Sequence, residues 1–157
     1  MAASRVPKLL SEGKRAPDLE FTRLEGGAVA LRDLIADGPV LLAFFKVTCP
    51  VCQYAFPFLE RLHKAGKLRM YAVSQNDEED TREFNSRFGV TFPTLLDREE
   101  DDFPASNAVG LASVPTVFLI ERDGSVARVI EGWQKRPLEA LGVKFRQGEF
   151  VPEMKAG

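Results

Sequence analysis

Apolar positions along this chain change period several times, and each change marks an element. Val40-Leu41-Leu42-Ala43-Phe44-Phe45 is apolar throughout, the pattern of a central strand covered on both faces. After it, Ala55, Phe56, Leu59 and Leu62 recur at helical spacing between positions 52 and 64, which leaves Glu60, Arg61 and Lys64 for the solvent face. Pro57 falls inside that helix, where it removes a donor and crowds the carbonyl four residues earlier, so a kink is expected within about two turns of Cys52. Upstream, 17–21 and 29–31 flank Gly26-Gly27 as a hairpin, and a short helical turn over 31–36 stops at Gly38-Pro39. Downstream, strands over 68–73 and 94–96 alternate with a helix over 81–88 that Gly89 closes. The acidic stretch 97–102 is expected to be a solvated loop or a helix start, and a short helix over 103–109 ends at Gly110. The chain then passes Val114-Pro115 into an apolar strand ending at Ile120, turns at Arg122-Asp123-Gly124-Ser125 and returns over 126–130. Pro137 opens a last helix reaching about Phe145, with fraying expected beyond Gln147.

This alternation of strands and helices predicts an α/β layer structure with a mainly parallel sheet. No repeat, low-complexity run or linker divides the chain, so one domain over 1–157 is expected, with its core over about 13–147 and loosely ordered termini. A formal charge of -2, with 28% charged residues, leaves no electrostatic footprint for nucleic acid or an anionic membrane surface. No apolar run approaches the roughly 18 residues of a membrane span. The start Met1-Ala2-Ala3-Ser4-Arg5 lacks the apolar stretch of a secretory signal. The expected location is the cytoplasm if Met1 is the native start, and the periplasm or another exported site if a leader was removed.

Cys49 and Cys52 are the only cysteines, and Cys49-Pro50-Val51-Cys52 begins where the apolar strand ends, the place where sites gather in open parallel sheets. Two thiols one helical turn apart can close a short-range disulfide. If the first lies at a helix N-terminus, the positive end of the dipole favours its thiolate. In a reducing compartment such a pair means catalysis or metal more often than a structural staple. A closed zinc site wants four ligands, and the chain adds only His63, whose charged neighbours predict a solvated helix residue. No metal is therefore expected within a monomer; four thiols shared by two copies remain the metal alternative.

Ala16-Pro17-Asp18-Leu19, the strand running into Cys49-Pro50-Val51-Cys52, Phe92-Pro93-Thr94-Leu95-Leu96-Asp97, and Val114-Pro115-Thr116 followed by Phe118-Leu119-Ile120 and Asp123-Gly124 together resemble the TlpA/ResA-type thiol-disulfide oxidoreductases. These belong to the thioredoxin-like superfamily, beside the alkyl hydroperoxide reductase and thiol-specific antioxidant group. The resemblance covers about 13–141. It implies a thioredoxin-like fold: a central mixed, mostly parallel sheet flanked by helices, with an N-terminal hairpin and an extra strand and helix inserted before a cis proline. It also implies that Cys49 attacks, Cys52 resolves, and Pro115 is cis and faces the disulfide, with Val114, Pro50 and Val51 against the substrate. The partners implied are protein disulfides or thiols and an unidentified electron donor or acceptor. No cofactor is implied beyond a redox-active Cys49-Cys52 disulfide, and the oligomeric state is left open.

Several positions depart from that pattern. Thr48 stands where relatives often carry tryptophan, and Ala43 and Ala55 stand where a buried acidic or amide residue and a glutamate are usual, so the acceptor of the Cys52 proton is left open. Lys46 is the one ionisable residue close by in sequence; its ammonium can favour a thiolate if it points at the site, though a solvated strand-end lysine is the preferred reading. Trp133, after Gly132, is read as packing. The resulting expectation is a disulfide reductase in a reducing compartment, or a thiol-maturation protein, as in cytochrome assembly, if exported. A thiol peroxidase of the neighbouring group would have threonine or serine three residues before its reactive cysteine and proline seven before. Lys46 and Leu42 hold those places for Cys49, and Cys49 and Phe45 for Cys52. A non-catalytic metal or protein-binding module on the same fold is the third alternative; its copper-handling form needs C-x-x-x-C and a distant histidine, which are absent from the sequence.

Overall fold

The computed structural model describes residues 8–66 and 68–145. The expectations for the first residues and for the tail beyond Gln147 lie outside the described residues. The elements run β1 (Glu20–Arg23), β2 (Ala28–Ala30), α1 (Leu31–Leu34), β3 (Val40–Phe45), α2 (Pro50–Ala65), β4 (Arg69–Ser74), α3 (Glu78–Phe88), β5 (Thr94–Leu96), a 3-10 turn (Glu99–Asp101), α4 (Pro104–Ala108), β6 (Thr116–Ile120), β7 (Val126–Glu131) and α5 (Lys135–Phe145). All seven strands join one sheet in the order β2-β1-β5-β4-β3-β6-β7.

β3 sits deep in that sheet, parallel to β4 and antiparallel to β6, and all six of its residues are buried. Alternate side chains explain the unbroken apolar run. Leu41, Ala43 and Phe45 pack with α2 residues Phe56, Leu59 and Leu62, whereas Val40, Leu42 and Phe44 pack with Leu31 and Leu34 of α1 and Ala105 of α4. The sheet is mixed, but the expectation of mostly parallel pairing is corrected. Only β3–β4 and β4–β5 are parallel. β1–β2, β1–β5, β3–β6 and β6–β7 are antiparallel. The turns through Gly26-Gly27 and Asp123-Gly124 are too short for a crossover and force antiparallel neighbours. The segment between β4 and β6 supplies the extra strand and helix.

Three polar residues behave differently from their sequence pattern. Glu60 is buried rather than solvated, because the loop after α3 covers it: its carboxylate accepts the Thr91 amide at 2.8 Å and also the Thr91 hydroxyl. His63, one turn on, is half-buried, its ring 5.6 Å from that of Phe92. Asp97 is 2% exposed, not part of a solvated loop. It accepts the Ala105 and Ser106 amides at 2.8 and 2.7 Å and so caps the start of α4. α3 begins three residues earlier than expected because the Asp77 side chain accepts the Asp80 amide and caps it. α2 runs without a break through Pro57.

Candidate active site

The chain leaves β3 at Phe45 and enters α2 at Pro50, and residues 46–49 between them are tied on both sides. The Val47 amide donates to Asn76 Oδ1 at 2.9 Å, and the Val47 carbonyl accepts from Gln53 Nε2 at 2.9 Å. The Cys49 amide donates to the Lys46 carbonyl at 3.2 Å. Cys49 is thereby the N-cap of α2, in extended conformation, with proline at the first helical position, where a missing N–H costs nothing. Asn76 and Gln53 went unnoticed in the sequence; each is a single polar residue whose partner lies in another element, and no local spacing signals that.

One donor and one acceptor meet the Cys49 sulfur. The Cys52 amide donates to it at 3.2 Å, and the Cys49 thiol itself points at the Val114 carbonyl, 3.6 Å away. The peptide bond between Val114 and Pro115 is cis. Pro115 is buried, its carbonyl accepting the Gly132 amide at 2.8 Å, and Val114 is half-buried. The structure therefore brings Cys49, Cys52, Val114 and Pro115 together. Pro50 and Thr48 are exposed and Val51 is 43% exposed, so they form the outer rim. Lys46 is exposed too; its backbone carbonyl accepts the Cys49 amide, and the residue lines a recess with Val114.

Cys49 is half-buried, whereas Cys52 is 0% exposed, and both are free thiols. Burial, first, and the hydrogen bond with the Cys49 side chain push the Cys52 thiol far up from its ordinary value, against weaker lowering by the backbone of Lys46 and of Cys52 itself. Ala43 and Ala55 are both buried, at 0% and 2%. Among the described residues no carboxylate is hydrogen-bonded to either sulfur. A sulfur so enclosed is out of reach of a second copy, which argues against four thiols shared between two chains. Beyond the first turn of α2, Trp133 packs edge-on against Tyr54 and Phe58, with ring centroids 5.1 and 4.9 Å apart.

With this geometry in place, the likeness to known proteins is informative. Residues 13–129 match the AhpC/TSA family. The thiol-disulfide oxidoreductase ResA of Geobacillus thermodenitrificans is 34% identical over 125 residues, which span 76% of this chain and 69% of that protein. A proposed thiol:disulfide interchange protein DsbE from Chlorobium tepidum superposes with a TM-score of 0.68 at 27% identity, covering 84% of this chain and 93% of that one. Peroxidoxin BcpB of Mycobacterium tuberculosis superposes with a TM-score of 0.70 over 90% of this chain and 99% of its own; at 19% identity that likeness concerns the fold alone.

Proposed function

The chain belongs to the AhpC/TSA family and, within it, to the ResA-type thiol-disulfide oxidoreductases of thioredoxin-like fold, and we propose that it reduces protein disulfides, with Cys49 attacking and Cys52 resolving. One observation supports this most: Cys49 alone of the pair is reachable, and its sulfur sits at the start of α2 against the Cys52 amide. Donors at a helix N-terminus favour negative charge, the form in which sulfur attacks.

In the first step the Cys49 thiolate attacks one sulfur of the substrate disulfide. A Cys49–substrate bond forms, the substrate S–S bond breaks, and the departing sulfur leaves as a thiolate that takes up a proton. The substrate backbone then pairs at Val114, whose carbonyl is released when the Cys49 thiol proton is gone. In the second step Cys52 loses its proton and attacks Cys49, releasing the second substrate thiol and leaving a Cys49–Cys52 disulfide. Two electrons and two protons have passed to the substrate, and a dithiol donor returns them. No other cofactor takes part. The compartment sets the direction: net reduction where thiols are kept reduced, thiol maturation in an exported setting.

Turnover of a protein disulfide by the reduced full chain tests the reading. Wild type should accelerate it, Cys49→Ser should abolish it, and Cys52→Ser should accumulate a covalent substrate adduct visible by mass. Equal rates for all three would remove the catalytic assignment. Equilibration with glutathione then gives the direction: a potential near roughly -270 mV marks a reductant and one near roughly -120 mV an oxidant.

A further inference from the structure

A recess opens beside the redox pair. Lys46, Gln75, Leu111, Ala112, Ser113 and Val114 line a cavity of about 200 Å³, and Val114 is the residue whose carbonyl accepts the Cys49 thiol. Two of its walls are strand ends. Lys46 follows β3 and Gln75 follows β4, and the Gln75 amide extends the ladder by donating to the Phe45 carbonyl at 3.1 Å. The third wall starts at Gly110, with φ +68°, where a Cβ would come within 2.2 Å of the Lys8 carbonyl oxygen; only glycine lets the chain pass there.

Gln75 is oriented from behind. The Ser106 hydroxyl has one proton, which goes to the Asp97 carboxylate at 2.5 Å, so toward Gln75 it can only accept. Gln75 Nε2 donates to it at 2.8 Å, and one N–H of the same amide remains. Lys46 is exposed and forms no ion pair among the described residues. Lys46 and Gln75 therefore bring a cationic and an amide residue to the lining of this recess, which holds no carboxylate, while Gln75 also borders the neighbouring recess lined by Asp77, Asp80, Glu99 and Glu100. That donor set suits an anion.

We infer that this recess is a specificity subsite for an acidic side chain of the polypeptide substrate, close to the cysteine that Cys49 attacks. The inference rests on the oxidoreductase reading above. An extended chain laid along Val114 sends alternate side chains to one side, and those next to the reacting sulfur meet Lys46. Lys46 and Gln75 act here on the choice of substrate, not on the sulfur chemistry. Glutathione disulfide carries carboxylates as well, so small-molecule and polypeptide sources have to be separated.

The test uses the full chain and a set of disulfide-linked peptides that differ only in carrying Asp, Asn or Lys within two residues of the cysteine, with glutathione disulfide alongside. At low ionic strength kcat/KM for the Asp peptide should exceed that for the Lys peptide by about fivefold, the scale of one exposed ion pair. The ratio should shrink in salt and invert in Lys46→Glu. Gln75→Leu should lower the Asp-to-Asn ratio. Any effect of Lys46 on Cys49 ionisation would scale every peptide alike, so the ratio isolates the subsite. A wild-type ratio of one, or a ratio untouched by Lys46→Glu, overturns the inference. Charge preference confined to glutathione disulfide overturns the polypeptide assignment. Failure to reduce any disulfide overturns the oxidoreductase reading and this inference with it.

Discussion

Asp97 and Cys52 are buried to the same degree, 2% and 0% exposed, yet their surroundings are opposites. The Asp97 carboxylate accepts three hydrogen bonds, from the Ala105 and Ser106 amides and the Ser106 hydroxyl. Glu60 is provided for in the same way by Thr91. Around Cys52 the alanines at 43 and 55 are buried and their side chains carry no polar atom. A buried charge persists only where donors replace the lost water. This fold supplies several at a helix cap but leaves Cys52 only the weaker help of the Lys46 and Cys52 backbone, so burial prevails and the second thiol is held in its protonated form.

That contrast can be broken first on the paired side. Asp97→Ala strands two amides and a hydroxyl at the start of α4, and the expected loss is about 3 kcal/mol of stability, read as the shift of the urea midpoint at constant slope. An unchanged midpoint would mean that water satisfies α4 as well as the carboxylate does. A smaller effect sharpens the unpaired side. The folded state holds the Cys52 proton more tightly than the ordinary value of 9.0, so the unfolded chain binds fewer protons above that pH. The stability this thiol contributes is fully present below about pH 9 and is lost as pH rises, by about 1.4 kcal/mol per pH unit. Denaturation of the reduced protein at pH 8, 9 and 10 measures it, and Cys52→Ala should remove the slope. A slope that persists in Cys52→Ala belongs to another group.

Much of this architecture was legible in the sequence. The six apolar residues of β3 matched a strand covered on both faces, and the helical spacing of apolar residues from position 52 onward put the cysteine pair ahead of a helix. Strand direction was less so: alternating elements suggested parallel pairing, and the tight turns that forbid it carry little weight in a count of elements. Glu60 was hidden because helical periodicity shows which face meets the sheet, not which loop returns over the other face. Asp97 was hidden for a related reason, its partners lying eight and nine residues ahead. Asp77 did leave a trace, an acidic residue just ahead of a polar helical run, which is the usual cap signature. Gln53, Asn76 and Gln75 left none, since each acts across elements that only the fold brings together.

The most direct measurement is the pH-resolved alkylation of the reduced protein, with each cysteine followed separately by peptide mass. Cys49, half-exposed at the head of α2, should be modified at neutral pH while Cys52 stays unmodified until the protein is unfolded. Equal labelling of the two thiols in the folded protein, or labelling of Cys52 first, would contradict the division of roles between them.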